Sequence, residues 1–177
     1  SVGNNAALVI GGALASGGAV ALSHGRIVTI LSAGNDAAKS FTVVGTDVNG
    51  DSQTESITGA NAGTATGTKF FLTIASITAV GNPAGNVSAG VNASAADVVF
   101  AGRSRLKGIY LTSTATAGTV DFLRTSPSGT SILGLSSVGD ADATRDVVIP
   151  DEGVLFTDGI YVEYTVSTFL TMTVFHA

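Results

Sequence analysis

Along most of this chain apolar and polar residues alternate with a period of two. The alternation is broken roughly every 8 to 12 residues by Gly, Asn, Asp or Pro. A strand points successive side chains to opposite faces, so this pattern describes half-buried strands joined by short turns, as in an all-β sandwich or barrel. No long stretch carries an apolar stripe at helical spacing, and the abundant Thr, Val and Gly are poor helix formers. Strands are expected at Arg26–Leu31, Phe41–Thr46, Gln53–Thr58 and Phe70–Val80 in the first half. In the second half they are expected at Leu106–Thr112, Thr119–Arg124, Ser131–Leu135, Asp146–Ile149, Gly153–Phe156, Ile160–Thr165 and Phe169–Phe175. Asn49-Gly50 marks a hairpin, because a type I′ turn needs positive φ at both central residues. Ser126-Pro127-Ser128-Gly129 marks another turn.

These signals predict an all-β fold of two consecutive β-sandwich or jelly-roll-like modules, with Gly/Asn turns and almost no helix. Residues 1–24 form a Gly/Ala-rich N-terminal arm or first strands, 25–100 the first module and 101–177 the second. The boundary is placed where Asn92-Ala93-Ser94-Ala95-Ala96 is weakly patterned and Arg103-Ser104-Arg105-Leu106-Lys107 shifts the charge. The apolar run Ala6–Leu22 is not preceded by basic residues and is interrupted by Ser16 and glycines. It is therefore expected to form short strands, a turn or an extended arm, rather than a secretory signal or a membrane span.

Composition narrows the function. The chain has 177 residues, 45% hydrophobic and only 12% charged, the reverse of a disordered composition. With no Cys, disulfide staples and thiolate metal sites are excluded. A net charge of −5 argues against nucleic-acid binding. His24 and His176 are the only imidazoles, and no G-x-S-x-G elbow is present, so no catalytic residue is expected. Asp47–Glu55 alternates oxygen-bearing side chains like a calcium loop, but its Gly and Glu fall out of the EF-hand register, so a solvated hairpin tip is expected and no metal or cofactor. Tyr161 and Tyr164 differ in strand parity, which speaks against a shared aromatic platform for a sugar ring. Arg103, Arg105 and Lys107 alternate and would share one strand face, while Asp140, Asp142 and Asp146 open the most acidic stretch, which continues to Asp151 and Glu152. Both groups are candidate subunit contacts, since opposite charges on neighbouring copies steer docking.

Two stretches resemble small structural proteins of tailed-bacteriophage virions. The first is Phe41–Asp51 (FTVVGTDVNGD), continuing through Thr54–Thr64 and Lys69–Ile77; the second runs from Arg105-Leu106-Lys107-Gly108-Ile109-Tyr110 to Ile149-Pro150-Asp151-Glu152-Gly153-Val154-Leu155-Phe156. The resemblance implies a virion protein, either capsid decoration (cement) or a tail component, with no catalytic residues. The expected function is capsid decoration that stabilises the shell through subunit contacts. Its partners would be the major capsid protein or other virion proteins and further copies of itself, without nucleic acid or membrane, in a virion assembled in the host cytoplasm. A tail or fibre adhesion protein and a carbohydrate-binding module are the alternative expectations.

Overall fold

The structure, a computed structural model, describes residues 3–11, 15–141 and 143–177. Gly12–Leu14 of the Gly-rich segment and Asp142 of the acidic stretch lie outside the described residues. The fold is all-β, and the described residues contain no helix. The chain divides into two compact units, Ser1–Asn92 and Ala93–Ala177.

Unit 1 holds β1 (Ala15–Ser16), β2 (Ala19–Ser32), β3 (Ser40–Thr46), β4 (Ser52–Thr58), β5 (Thr64–Val80) and the start of β6 (Val87–Phe100). Their order is β4-β3-β5-β2-β6, with β1 paired to β2. The 17-residue β5 organises the unit. Its first half pairs with β2 (Leu31↔Thr64, Ile27↔Phe70), and its second half pairs with β3 (Val43↔Ile77, Phe41↔Ala79). The two partners meet β5 at Thr73 and Ile74, where the β3 register shifts between Val44 and Gly45. A Cβ on Gly45 would lie 1.9 Å from the Thr73 carbonyl oxygen, so only glycine fits at this bulge. Val28, Ile30, Phe41, Val43, Phe71 and Ile77 form the core, with Leu8 and Ile10 packed against it. The N-terminal segment lies along the second half of β5: Leu8 N–H donates to Ile77 O at 2.8 Å, and Asn5 N–H to Ala79 O at 2.8 Å.

The β3–β4 hairpin differs from the two-residue turn expected at Asn49-Gly50. Thr46 pairs with Ser52, leaving a five-residue loop in which only Gly50 of that pair has positive φ, at 87°. Asp47 governs it, because Oδ1 accepts the N–H of Asn49 at 2.8 Å and of Asp51 at 3.0 Å. An aspartate turn has replaced the type I′ geometry. The two units divide between Asn92 and Ala93, within the weakly patterned stretch Asn92–Ala96 where the boundary is expected; what differs is that no strand is expected there. These residues are inside strand β6, because small side chains pack well on a pleated sheet: Ala95 and Ala96 are fully buried.

Unit 2 contains the rest of β6 together with β7 (Ser104–Ser113), β8 (Gly118–Arg124), β9 (Ser131–Ser137), β10 (Thr144–Val148), β11 (Val154–Phe156), β12 (Ile160–Thr165) and β13 (Phe169–His176). One sheet runs β6-β12-β8-β9; the other has β7 between β13 on one side and β10 and β11 on the other. Leu106, Ile109, Leu111, Val120, Phe122, Phe156, Ile160 and Val162 supply the buried core from both sheets, a sandwich-like arrangement. Alternation is plain on β8, where Val120 and Phe122 are buried and Asp121 is not. The turn expected at Ser126–Gly129 is present, closed by Gly129 N–H to Ser126 O at 2.9 Å.

Candidate functional site

Three of the candidate contact residues, Arg105, Lys107 and Asp146, fall on the sheet centred on β7. Its outward face carries two cross-strand rows: Val148–Gly108–Phe175 and Asp146–Tyr110–Thr173. Val148 is 77% exposed and Phe175 53%. The Phe175 ring leans over Gly108, its Cδ2 3.5 Å from where a Cβ would stand, and shields a backbone that glycine leaves bare. Tyr110, diagonal to Phe175, is also exposed.

The basic residues do less on this face than their spacing suggests. Arg103 precedes β7 and lies in a bend, so it does not share the strand face with Arg105 and Lys107. Arg105 and Lys107 are on the strand but serve their own unit. The Arg105 guanidinium is 3.1 Å from Glu152 Oε2, and Lys107 Nζ donates to Asp151 O at 3.2 Å. Both therefore fasten the β10–β11 turn. The Arg105–Glu152 pair is open to solvent on the Glu152 side and contributes little stability. Asp140 acts through its backbone, whose carbonyl accepts the Ser113 hydroxyl at 3.0 Å, while Asp146 stands exposed beside Tyr110. Arg105 and Lys107 meet the acidic stretch at the β10–β11 turn, through the Glu152 carboxylate and the Asp151 carbonyl.

Several features had no sequence signal. Glu163 of β12 lies directly opposite Asp121 of β8, two carboxylates on one face. Burial first, and then the Asp121 charge, raise the Glu163 carboxyl above its ordinary range, against a lowering hydrogen bond from Ser94. Asp121 accepts the Ser131 hydroxyl at 2.8 Å and leans into the space above Gly134, where an added Cβ would come within 2.7 Å of its Oδ1. On the core side Tyr164 donates to Asp97 at 2.9 Å, and Tyr161 is buried, so neither tyrosine offers a platform. The Ser104 hydroxyl, 4% exposed, sits 3.2 Å from His176 Nδ1 and donates to Ala177 O at 3.1 Å, tying the last strand to β7.

In unit 1, Glu55 of β4 reaches across to β5. It accepts the Thr68 N–H at 2.6 Å and the Thr68 hydroxyl at 2.9 Å, while Lys69 Nζ donates to Thr54 O at 2.8 Å and Gln53 donates to Phe70 O. Glu55 and Gln53 thus satisfy backbone groups of β5 in the part that β3 does not pair. Asp47, the first oxygen ligand of the calcium-like stretch, spends its Oδ1 on the turn. At the opposite loops Asp36 is fully buried; Oδ1 accepts the Ala84 N–H at 2.7 Å, whereas Oδ2 has no partner, nor does the buried Ser32 hydroxyl. Ser32 also lines a shallow depression of about 230 Å³ with Leu31, Ala33, Asn86, Val87 and Ser88.

Comparison of the chain with protein-family models, with curated proteins and with solved structures finds no match.

Proposed function

We propose that this chain is a structural protein of a tailed-phage virion, a capsid decoration protein that works by binding alone. One observation carries the reading: apolar side chains stand in solvent on a sheet whose core is already complete. Val148 and Phe175 flank Gly108 on the outer face of the β7 sheet, with Tyr110 beside them. Exposed apolar groups of this kind, rimmed by Asp146, Lys107 and Arg105, suit contact with another protein surface. Covering them would contribute about 25 cal/mol per Å² of apolar area, a small gain per copy that repeats over every position of a shell. The resemblance of Phe41–Asp51 and Arg105–Phe156 to phage virion proteins supports the same reading.

The test is to add the purified chain to phage heads lacking it and measure cosedimentation and heat resistance. Stoichiometric binding in hundreds of copies, abolished by Val148→Asp with Phe175→Asp, is the expected result. Occupancy limited to a few or dozens of copies per particle assigns it to the tail or a fibre. Absence of particle binding with glycan binding in solution makes it a carbohydrate-binding module.

A further inference from the structure

We propose that a second copy of this chain adds to the open edge of β9, joining two molecules by antiparallel strand pairing about a two-fold axis at Leu135. The inference rests on β9 and its neighbour β8 alone, so it stands or falls independently of the virion reading.

A strand at the end of a sheet presents unpaired N–H and C=O groups, and proteins blunt such edges with charge, bulges or side-chain cover. The terminal strands here differ in that respect. β4 carries Glu55, and side chains already tie it to β5. β10 carries Arg145 and Asp146, and pairing two copies about the latter would oppose like charges. β13 has register shifts at both ends, between Phe169 and Thr171 and between Phe175 and His176. By contrast β9, Ser131-Ile132-Leu133-Gly134-Leu135-Ser136-Ser137, has no charge and no Pro, and it pairs only with β8. Its one irregularity lies at Ile132, leaving Leu133–Ser137 in regular register.

The centre of that regular stretch is Leu135. Antiparallel pairing about it sets Leu135 against the partner copy's Leu135, Leu133 against Ser137, and Gly134 against Ser136. Each pair joins residues of the same parity, so the core-facing sides of both copies align. Leu133 and Leu135, only partly buried against their own core, gain cover. Beyond the strand, Val138 is 83% exposed and Ile132 40% exposed, and this register brings each beside the other across the axis.

The polar side of the strand is complementary as well. Gly134 has no side chain, and the Asp121 carboxylate fills the space above it while Ser131 holds Oδ1. The residue facing Gly134 from the second copy is Ser136, whose exposed hydroxyl is a donor for Asp121 Oδ2. Two-fold symmetry makes the contact twice. Because each Asp121 is drawn toward its own Ser131, and the two Ser131 residues lie at opposite ends of the paired strands, the carboxylates of the two copies are held apart. The interface is isologous and self-limiting, closing at two copies.

The full chain is to be examined by sedimentation equilibrium over about 1–200 μM, alongside Ser136→Asp and Ser136→Lys. The wild type should dimerise with rising concentration. Ser136→Asp sets a carboxylate against Asp121 of the other copy and should weaken the dimer at least about tenfold, whereas Ser136→Lys should hold it or tighten it. The chain has no cysteine of its own, so Ile132→Cys and Val138→Cys report the register even if the charge variants fold poorly. Mixed and mildly oxidised, the two should give a disulfide-linked heterodimer in preference to either homodimer. A wild type that stays monomeric at the highest concentration overturns the proposal. So does a dimer indifferent to Ser136→Asp, or a cysteine mixture without preferential heterodimer.

Discussion

The Glu163–Asp121 pair makes a stability prediction whose sign depends on pH. Glu163 sits mid-strand on β12, with Asp121 directly opposite on β8 and Ala96 opposite on β6. Like charges directly opposed across two strands destabilise by about 0.2–1 kcal/mol. Because burial and Asp121 raise the Glu163 carboxyl in the folded state, the folded chain holds its proton more tightly than the unfolded chain does. Stability from this group is therefore fully present below the unfolded value, near 4.5, and is lost as pH rises through the higher folded value. Glu163→Gln removes the ionisable group while keeping an oxygen to accept from Ser94. At pH 7 the variant should be more stable by about 0.5 kcal/mol, or about 1–2 °C in melting temperature for a chain of this size. Below about pH 4 the two proteins should melt together. Asp121→Asn should shrink the gain, since the two sites couple. Urea and thermal unfolding between about pH 3.5 and about pH 8, a range that runs from just below the ordinary carboxylate values to well above them, checks this. A variant less stable at neutral pH, or a gain equal at both ends of the range, would refute the reasoning.

Glu55→Ala should cost about 1–2 kcal/mol in urea unfolding, because a charged acceptor of two hydrogen bonds is lost at the β4–β5 contact, and Glu55→Gln should recover part of it. Gly45→Ala should cost about 3 kcal/mol or more, since its Cβ would collide with the Thr73 carbonyl, and a melting temperature within a degree or so of wild type would contradict that geometry. Arg105→Ala should cost less than about 1 kcal/mol and the loss should fade in high salt, as expected of a solvent-open pair with Glu152; a larger, salt-insensitive loss in thermal melts would contradict this.

Most strands were legible because their signal is local. Ile160–Thr165 was expected with the boundaries it has, and Phe41–Thr46 within one residue of them, since alternation and turn residues act within a few positions. Strand β6 was missed for the same reason. Its Ala, Ser, Gly and Asn residues have weak strand preference, and the sheet holds them because small side chains fit between neighbours. The candidate contact residues were legible only as spacing. Period two put Arg105 and Lys107 on one face, but Glu152 and Asp151, more than forty residues away, occupy them. Asp121 and Glu163 carried no signal, and Glu55 stood out only in a calcium-like stretch, because their partners come from other strands.

By itself the sequence determined that this chain is a β protein with an apolar interior and a sparsely charged exterior: periodicity, turn residues and composition are properties of neighbours along the chain. Tertiary structure alone decided which strand lies beside which, and so which carboxylates face each other, which glycine a phenylalanine covers and which edge is left open. Strand pairing is a long-range choice, set by how core faces of distant segments fit together, and no local pattern encodes it.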